Sequence, residues 1–174
     1  LSVARLAEAP AIADIVAMAP TGAAAAMSKV EGFTQSRPRD GEPATQKTEV
    51  WLLFDDRNVY VTARCWSTAP DRIVANEMRR DSFANFQNDN FAVPFDTSHD
   101  RRHGVQFQST PLGGLSDSLV TDERDSNRDW NTVWDARARR FEQGWIVEFA
   151  IPFKTLRYPA PGALSDRVRT EEVV

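Results

Sequence analysis

The strongest pattern in the sequence is an alternation of apolar and polar residues on both sides of one turn, between Trp134 and Ile151. Residues 134–139 alternate Trp or Ala with Asp or Arg, and residues 145–151 carry an apolar side chain at every second position. The Phe-Glu-Gln-Gly segment at 141–144 supplies the turn. Because successive side chains of a strand point to opposite faces, the pattern predicts an antiparallel hairpin with one apolar face. That face needs a second layer to cover it.

Shorter runs elsewhere in the sequence predict further strands. Residues 48–54 are apolar on both faces at their centre, as in a strand that is covered on both sides. Residues 59–66 alternate strictly and place Cys65 on the predicted core face. Three more alternating runs, at 91–95, 105–107 and 115–119, are separated by turns at 98–104 and 111–114.

Two segments do not follow the strand pattern. Pro70 and Asp71 begin a run to residue 80 whose apolar residues suit a short amphipathic helix. Residues 12–30 are rich in Ala, show no clean period and are expected to form a loop with a short helix.

About seven short strands and one short helix predict an all-β fold, an antiparallel β-sandwich of the jelly-roll or immunoglobulin-like type. A chain of 174 residues is long enough to bury a continuous core, so residues 1–174 are expected to form a single domain with its core at roughly 33–158. The chain starts without Met, as expected of a mature form or of a fragment of a longer protein.

The composition argues against several classes of function. A formal net charge of −4 gives a nucleic-acid backbone no general reason to bind, so nucleic acid is not an expected partner. Cys65 is the single cysteine, so the chain can form neither an internal disulfide nor a structural zinc site, and its thiol is expected to be a buried small hydrophobe. No apolar run reaches the roughly 18–20 residues of a membrane-spanning helix.

The sequence contains no recognisable catalytic motif. His99 and His103 lie in a predicted turn, without a nucleophile elbow or the spacing of metal-ligating histidines, and a solvated turn is the preferred interpretation. Gly113-Gly114 lacks the Lys-Ser/Thr ending of a phosphate-binding loop. No residue is therefore assigned a catalytic role. A carboxylate pair of the glycoside-hydrolase type stays open, since the sequence does not reveal distances between acids.

The polar segment 121–134 is the candidate metal site. Asp125, Asn127 and Asp129 place three hard oxygen ligands at alternate positions, as the start of a calcium loop does. An EF-hand would continue with Gly and an acidic residue where Trp130 and Ala136 stand. The segment is interpreted either as a calcium site or as a solvated acidic loop.

Five tryptophans are more than the core of a sandwich requires. Three of them, Trp51, Trp134 and Trp145, are assigned to the core from their apolar surroundings. The remaining two suit exposed platforms for a sugar ring, with neighbouring polar groups to bind its hydroxyls. The predicted ligand-binding residues are Trp66 and Trp130, together with Tyr60 and Arg64, which share the strand face of Trp66. Burial of both tryptophans is the alternative.

Several ordered motifs carry a resemblance to a known family. They occupy residues 40–49, 54–60, 79–81, 96–104, 111–113, 129–135 and 144–157. In this order they resemble the family-nine carbohydrate-binding-module-like domain, and more closely the version that stands N-terminal to a predicted outer-membrane-type β-barrel in large bacterial proteins. The resemblance covers roughly residues 33–158, and its most specific part is Gly-Trp-x-Val-Glu-Phe-Ala-Ile-Pro-Phe-Lys-x-Leu-Arg at 144–157.

The resemblance implies a non-catalytic domain that binds an oligo- or polysaccharide between aromatic rings. It further implies calcium as a cofactor, a periplasmic or extracellular, outer-membrane-associated location, a link to polysaccharide breakdown or uptake, and hydrolase activity in another domain. Docking to a C-terminal membrane barrel is a further expected interaction. The alternatives are a structural or interaction domain of an outer-membrane protein, part of a glycoside hydrolase, or a haem-binding sandwich.

Overall fold

Two β-sheets form the framework of the computed structural model, which describes residues 3–5, 7, 20–122 and 125–156. The loop was expected over residues 12–30, and its part at residues 12–19 lies outside the described residues. Among the residues described, no helix has the length and apolar character to span a membrane.

The larger sheet has six strands and is built on the hairpin that the alternation predicts. Its spatial order is β1-β3-β4-β10-β9, and β2 pairs with β3. All pairs are antiparallel except β1 with β3. The strands are β1 (Ala4–Arg5), β2 (Ser28–Val30), β3 (Thr48–Phe54), β4 (Asn58–Trp66), β9 (Asp135–Phe141) and β10 (Gly144–Pro152). The helix α1 (Phe153–Leu156) follows β10 directly.

The smaller sheet has four antiparallel strands in the sequential order β5-β6-β7-β8. These strands are β5 (Phe91–Phe95), β6 (Gly104–Ser109), β7 (Leu115–Thr121) and β8 (Asp125–Asn127). Three 3₁₀ turns, at Gly22–Ala26, Pro70–Arg72 and Phe83–Gln87, connect elements of the fold.

The main core fills the space between the two sheets. Phe107 of the smaller sheet and Phe149 of the larger one are fully buried. The Trp134 ring meets both edge-on, at centroid distances of 5.0 Å and 5.1 Å. Trp134 Nε1 donates to Asp117 Oδ1 at 3.1 Å, so a polar contact is buried within this aromatic cluster. Other buried members of the core are Val50, Val61, Ala63, Val105, Trp145, Val147, Ile151 and Leu156.

The structure confirms the all-β sandwich and the hairpin at its centre. Strands β9 and β10 pair as the alternation requires, with Val147 opposite Ala138 and Phe149 opposite Ala136. Strands β3 to β7 begin and end within a few residues of their predicted limits. Strands β1, β2 and β8 were not predicted, since each has only two or three residues.

The prediction of an amphipathic helix after Pro70 is wrong. Only the 3₁₀ turn Pro70–Arg72 forms, and the chain then runs without helix. Backbone N–H groups that a helix would use are taken by side chains far along the sequence. Val74 N donates to Asp89 Oδ2 at 2.7 Å, and Asn76 N donates to Asn88 Oδ1. Such side-chain acceptors compete with helical hydrogen bonds. In the part of the chain that the structure describes, the one α-helix is α1, after the hairpin.

Gly144 is required where the β9–β10 turn enters β10. A Cβ atom there would lie 2.1 Å from the Cys65 carbonyl oxygen on β4. We predict that Gly144→Ala lowers the free energy of unfolding by about 3 kcal/mol, because backbone must shift to relieve the overlap. Gly113→Ala is the control, since Gly113 has φ +82° but open space around it, and about 1 kcal/mol is expected. Urea denaturation measures both, and equal losses would contradict the steric argument.

Asp117 is a buried carboxylate that holds the aromatic cluster in register. We predict that Asp117→Asn lowers the free energy of unfolding by about 3 kcal/mol, because it removes the charge that Arg80 and Trp134 Nε1 face. Asp122→Asn is the matched control, since its ion pair with Arg102 is exposed and worth under about 1 kcal/mol. Thermal and urea unfolding of both variants test this, and a loss as small as that of the control would refute it.

Candidate functional site

The predicted ligand residues of β4 lie together on the face of the larger sheet that points away from the main core. Tyr60 and Arg64 are only 6% and 2% exposed, whereas Trp66 is half-buried. The Tyr60 hydroxyl donates to Asp55 Oδ2 at 2.9 Å. Of the three, Trp66 is the one whose side chain presents appreciable surface.

Glu49 organises this face of the larger sheet. Its Oε2 accepts from Arg64 Nε at 3.0 Å and from Trp66 Nε1 at 2.8 Å, while Lys29 and Lys47 reach Oε1 at 2.8 Å and 3.1 Å. Burial acts to raise the pKa of Glu49, but the hydrogen bonds from these four groups outweigh it and hold the pKa at about 2. The polar groups of Arg64 and Trp66 are therefore already engaged within the protein.

A groove of about 910 Å³ opens beside Trp66. Phe33, Pro43 and Gln143 line it together with Lys47. The Trp66 ring has Phe141 edge-on at 5.2 Å and the Arg64 guanidinium at 5.2 Å from its centroid. The groove offers apolar surface, but its charged lining residues already have partners, Lys47 in Glu49 and Glu31 in Lys29.

Trp130 lies apart from Trp66. It packs against the core between the sheets, and its ring is edge-on to Phe107 at 6.5 Å. Trp66 stands on the opposite side of the larger sheet. The structure thus brings Tyr60, Arg64 and Trp66 together and leaves Trp130 elsewhere, so the four residues do not form one aromatic sandwich. Their role in ligand binding stays a prediction.

The residues predicted to bind calcium are exposed. Asp125 and Asn127 belong to β8, and Asp129 follows it, so the predicted loop is partly a strand. Asn127 Oδ1 accepts from the backbone N–H of Asp129 at 3.0 Å. In the described ranges, no group of three or more His, Cys, Asp or Glu side chains is arranged to hold a metal ion. Calcium binding stays a prediction.

Cys65 and the two histidines lie in surroundings that their sequence context predicts. Burial raises the pKa of the Cys65 thiol to about 12, which leaves it protonated and unreactive. His99 and His103 lie in the turn between β5 and β6, where His103 Nδ1 lies 2.8 Å from Asp100 Oδ2.

A second polar surface, which the sequence analysis did not identify, lies on the smaller sheet. Gln106 pairs with Ser118 and Gln108 with Ser116 across β6 and β7, on the side facing away from the main core. Val105 and Phe107 alternate with the glutamines and point into the core. The four polar side chains therefore form a floor of amide and hydroxyl groups. The alternation of Gln with apolar residues in β6 was the signal that could have revealed it.

Aromatic side chains from the 3₁₀ turn Phe83–Gln87 form a wall beside this floor. Asn85 anchors the turn, because its Nδ2 donates to Ser116 Oγ at 3.1 Å and to the Arg79 carbonyl at 3.0 Å. The anchored turn leaves Phe83 68% and Phe86 37% exposed. We call the floor residues Gln106, Gln108, Ser116 and Ser118, with Phe83, Phe86 and Arg128, the amide face.

Two hydrogen-bond donors of the amide face lack acceptors. Gln108 is 3% exposed and its Nε2 has no partner. The Arg128 guanidinium lies over the Phe86 ring at 4.1 Å and near Phe83 at 5.8 Å, and it has no ion pair within the described part of the chain. Buried polar groups in native proteins are nearly always paired with protein, water or a ligand, so the Gln108 donor is available to an acceptor from outside the folded chain.

Glu49 also links the stability of the fold to pH. Its folded-state pKa of about 2 lies below the ordinary 4.5, so it contributes stability above pH 4.5 that is lost as the pH falls towards 2. We predict that Glu49→Gln costs about 2 kcal/mol of unfolding free energy at pH 7 and almost nothing near pH 2. Glu42→Gln serves as control, because the Glu42 carboxylate forms its ion pair with Arg39 at the exposed surface. Urea unfolding between pH 2 and 7 checks this, and a pH-independent loss would count against it.

The known structures that resemble this chain share little of its sequence. No family model matches the chain, and no curated protein matches it. Among solved structures, it is similar to a carbohydrate binding module of family 9 from Caldicellulosiruptor kristjanssonii in complex with cellotriose, with 14% identity and a TM-score of 0.49 over 75% of this chain and 58% of that one. A family 9 module from the same organism in complex with glucose has 14% identity and a TM-score of 0.45, over 75% and 66%. The chain thus spans less than two thirds of the length of either neighbour.

Proposed function

We propose that this chain is a carbohydrate-binding domain that takes an oligo- or polysaccharide on the amide face. The observation that carries the proposal is the buried Gln108 Nε2, a donor without an acceptor at the base of an aromatic wall. A ligand that brings hydroxyl oxygens would satisfy this group.

The chemistry of the amide face suits a sugar better than other small molecules. Phe86 offers a flat apolar surface for the C–H face of a pyranose ring. Gln106, Gln108 and Ser118 offer amide and hydroxyl groups that donate to and accept from sugar hydroxyls. The groove at Trp66 has the larger volume, but its charged lining residues are already paired, Lys47 with Glu49 and Glu31 with Lys29.

Binding on the amide face requires the Arg128 side chain to move. The hollow above the floor has a volume of about 10 Å³, close to the roughly 10–15 Å³ that a single water needs and far too small for a sugar ring. Arg128 is exposed and is held only by its contacts with two phenyl rings. Its displacement would uncover the Phe86 ring.

The sequence resemblance supports the wider setting of the proposal. We infer that the domain acts in polysaccharide breakdown or uptake, in the periplasm or outside the cell, and in association with the outer membrane. Docking to a membrane barrel belongs to the same inference. Localisation of the tagged full-length protein by cell fractionation tests it, and a cytoplasmic location would overturn it.

Calorimetric titration with a panel of neutral and acidic oligosaccharides, cellotriose among them, tests sugar binding. We predict that Phe86→Ala weakens binding of any ligand found at least tenfold, because it removes the stacking surface, and that Gln108→Ala weakens it similarly. Phe33→Ala is the matched control, since Phe33 is 40% exposed against 37% for Phe86 but lines the Trp66 groove.

The same titrations separate the two surfaces of the sandwich. Binding that is lost in Trp66→Ala or Phe33→Ala and kept in Phe86→Ala would place the sugar in the Trp66 groove and overturn the assignment to the amide face. Absence of binding to every saccharide at millimolar concentration would overturn the proposed function itself.

A further inference from the structure

Arg128 is an exposed cation without a carboxylate partner in the part of the chain that the structure describes. Its guanidinium lies over the Phe86 ring at 4.1 Å and near the Phe83 ring at 5.8 Å. The two acids that line the same hollow, Asp81 and Asp117, are already paired. Asp117 accepts from Arg80, Trp134 Nε1 and Thr132 N, and Asp81 accepts from Arg80 Nε and Asp117 N. Arg128 therefore stands at the amide face with its donors unused.

The unpaired Arg128 adds to the unpaired donor of Gln108 in the same hollow. Both residues line it, and neither the Gln108 Nε2 nor the guanidinium has an acceptor. Two donors without acceptors, one of them charged, call for a ligand with more acceptor than donor capacity. A sugar hydroxyl both donates and accepts, whereas a carboxylate only accepts and matches the planar guanidinium with two parallel hydrogen bonds.

We propose that the saccharide bound on the amide face is acidic and carries a uronic acid residue. The inference rests on the proposed function, and it names the class of ligand. The uronate carboxylate binds the Arg128 guanidinium and draws it away from the phenyl rings. The uncovered Phe86 ring then stacks against the pyranose, and a ring or hydroxyl oxygen accepts from Gln108 Nε2.

The charge of the whole chain does not produce this selectivity. The formal net charge is −4, so the long-range field does not attract an anion. Recognition of a uronate then depends on the short-range pair with Arg128. A guanidinium also differs from an ammonium in its paired donor geometry, so Lys at this position should restore the charge but not the full preference.

Matched saccharides test the inference. Calorimetry compares cellotriose with cellotriouronic acid, its C6-oxidised form, and trigalactose with trigalacturonic acid. We expect at least one acidic member to bind tenfold or more tightly than its neutral partner, and the preference to shrink as NaCl is raised. In Arg128→Gln the ratio of the two affinities should fall to about one, and in Arg128→Lys it should be intermediate. Arg139→Gln, an exposed arginine of β9 on the other sheet, should keep the parent ratio.

The outcomes distinguish the two proposals. Equal affinity for the acidic and neutral members overturns the inference and leaves the proposed function standing. A preference for the acid that survives in Arg128→Gln also overturns it, because the carboxylate then binds elsewhere. Failure of every saccharide to bind overturns the proposed function together with the inference. Because Arg128 is exposed, its variants are expected to keep the parent melting temperature, which confirms that any lost preference is local.

Discussion

The contact between Trp134 and Asp117 fixes how the two sheets meet. The Trp134 ring touches Phe107 of the smaller sheet and Phe149 of the larger, and its Nε1 donates to a carboxylate on β7. Asp117 also accepts from Thr132 N at 2.9 Å and pairs with Arg80, so the segment that leads into β9 is fixed by the same group. A buried charge is tolerated only when its oxygens are satisfied in this way. One carboxylate on β7 thus holds both the segment that leads into β9 and the Arg80 segment.

The long strands of the larger sheet could be predicted from the sequence, whereas the roles of the side chains on its two faces could not. The strands follow from a period of two, which needs no knowledge of distant residues. The role of Arg64 depends on Glu49, which lies opposite it on β3, and that pairing becomes visible only once the register is known. The prediction of a helix after Pro70 was wrong because it, too, depends on distant residues. The side chains that accept from the backbone N–H groups there stand 12 and 15 residues away in the sequence. Strand β8 was missed because three exposed polar residues carry no apolar period.

Two carboxyl groups on one face of this sheet show how local partners decide ionisation. Glu49 and Glu148 are 3% and 5% exposed, so both lose most of their hydration. Four donors lower the pKa of Glu49 to about 2. Burial raises the pKa of Glu148 to about 7, because only the charge of Arg137, opposite it on β9, acts against the burial, and Glu148 Oε2 has no hydrogen-bond partner among the described residues. At neutral pH the face around Trp66 therefore holds a fixed, fully paired carboxylate beside an acid that is partly protonated.

The amide face of the smaller sheet keeps hydrogen-bond donors that the fold does not use. On the larger sheet, the Glu49 network engages the donors of Lys29, Lys47, Arg64 and Trp66, and it joins the strands β2, β3 and β4. On the amide face, Asn85 Nδ2 and the Asp117 carboxylate are paired and anchor the wall and the core, whereas the Gln108 and Arg128 donors, like Asn85 Oδ1, have no partner among the described residues. A polar group that stabilises the fold has its partner in the folded chain, whereas one that recognises a ligand must lack it until the ligand arrives. By this criterion Glu49 and the donors that it binds around Trp66 stabilise the sandwich, and the free donors of Gln108 and Arg128 suit the amide face to recognition.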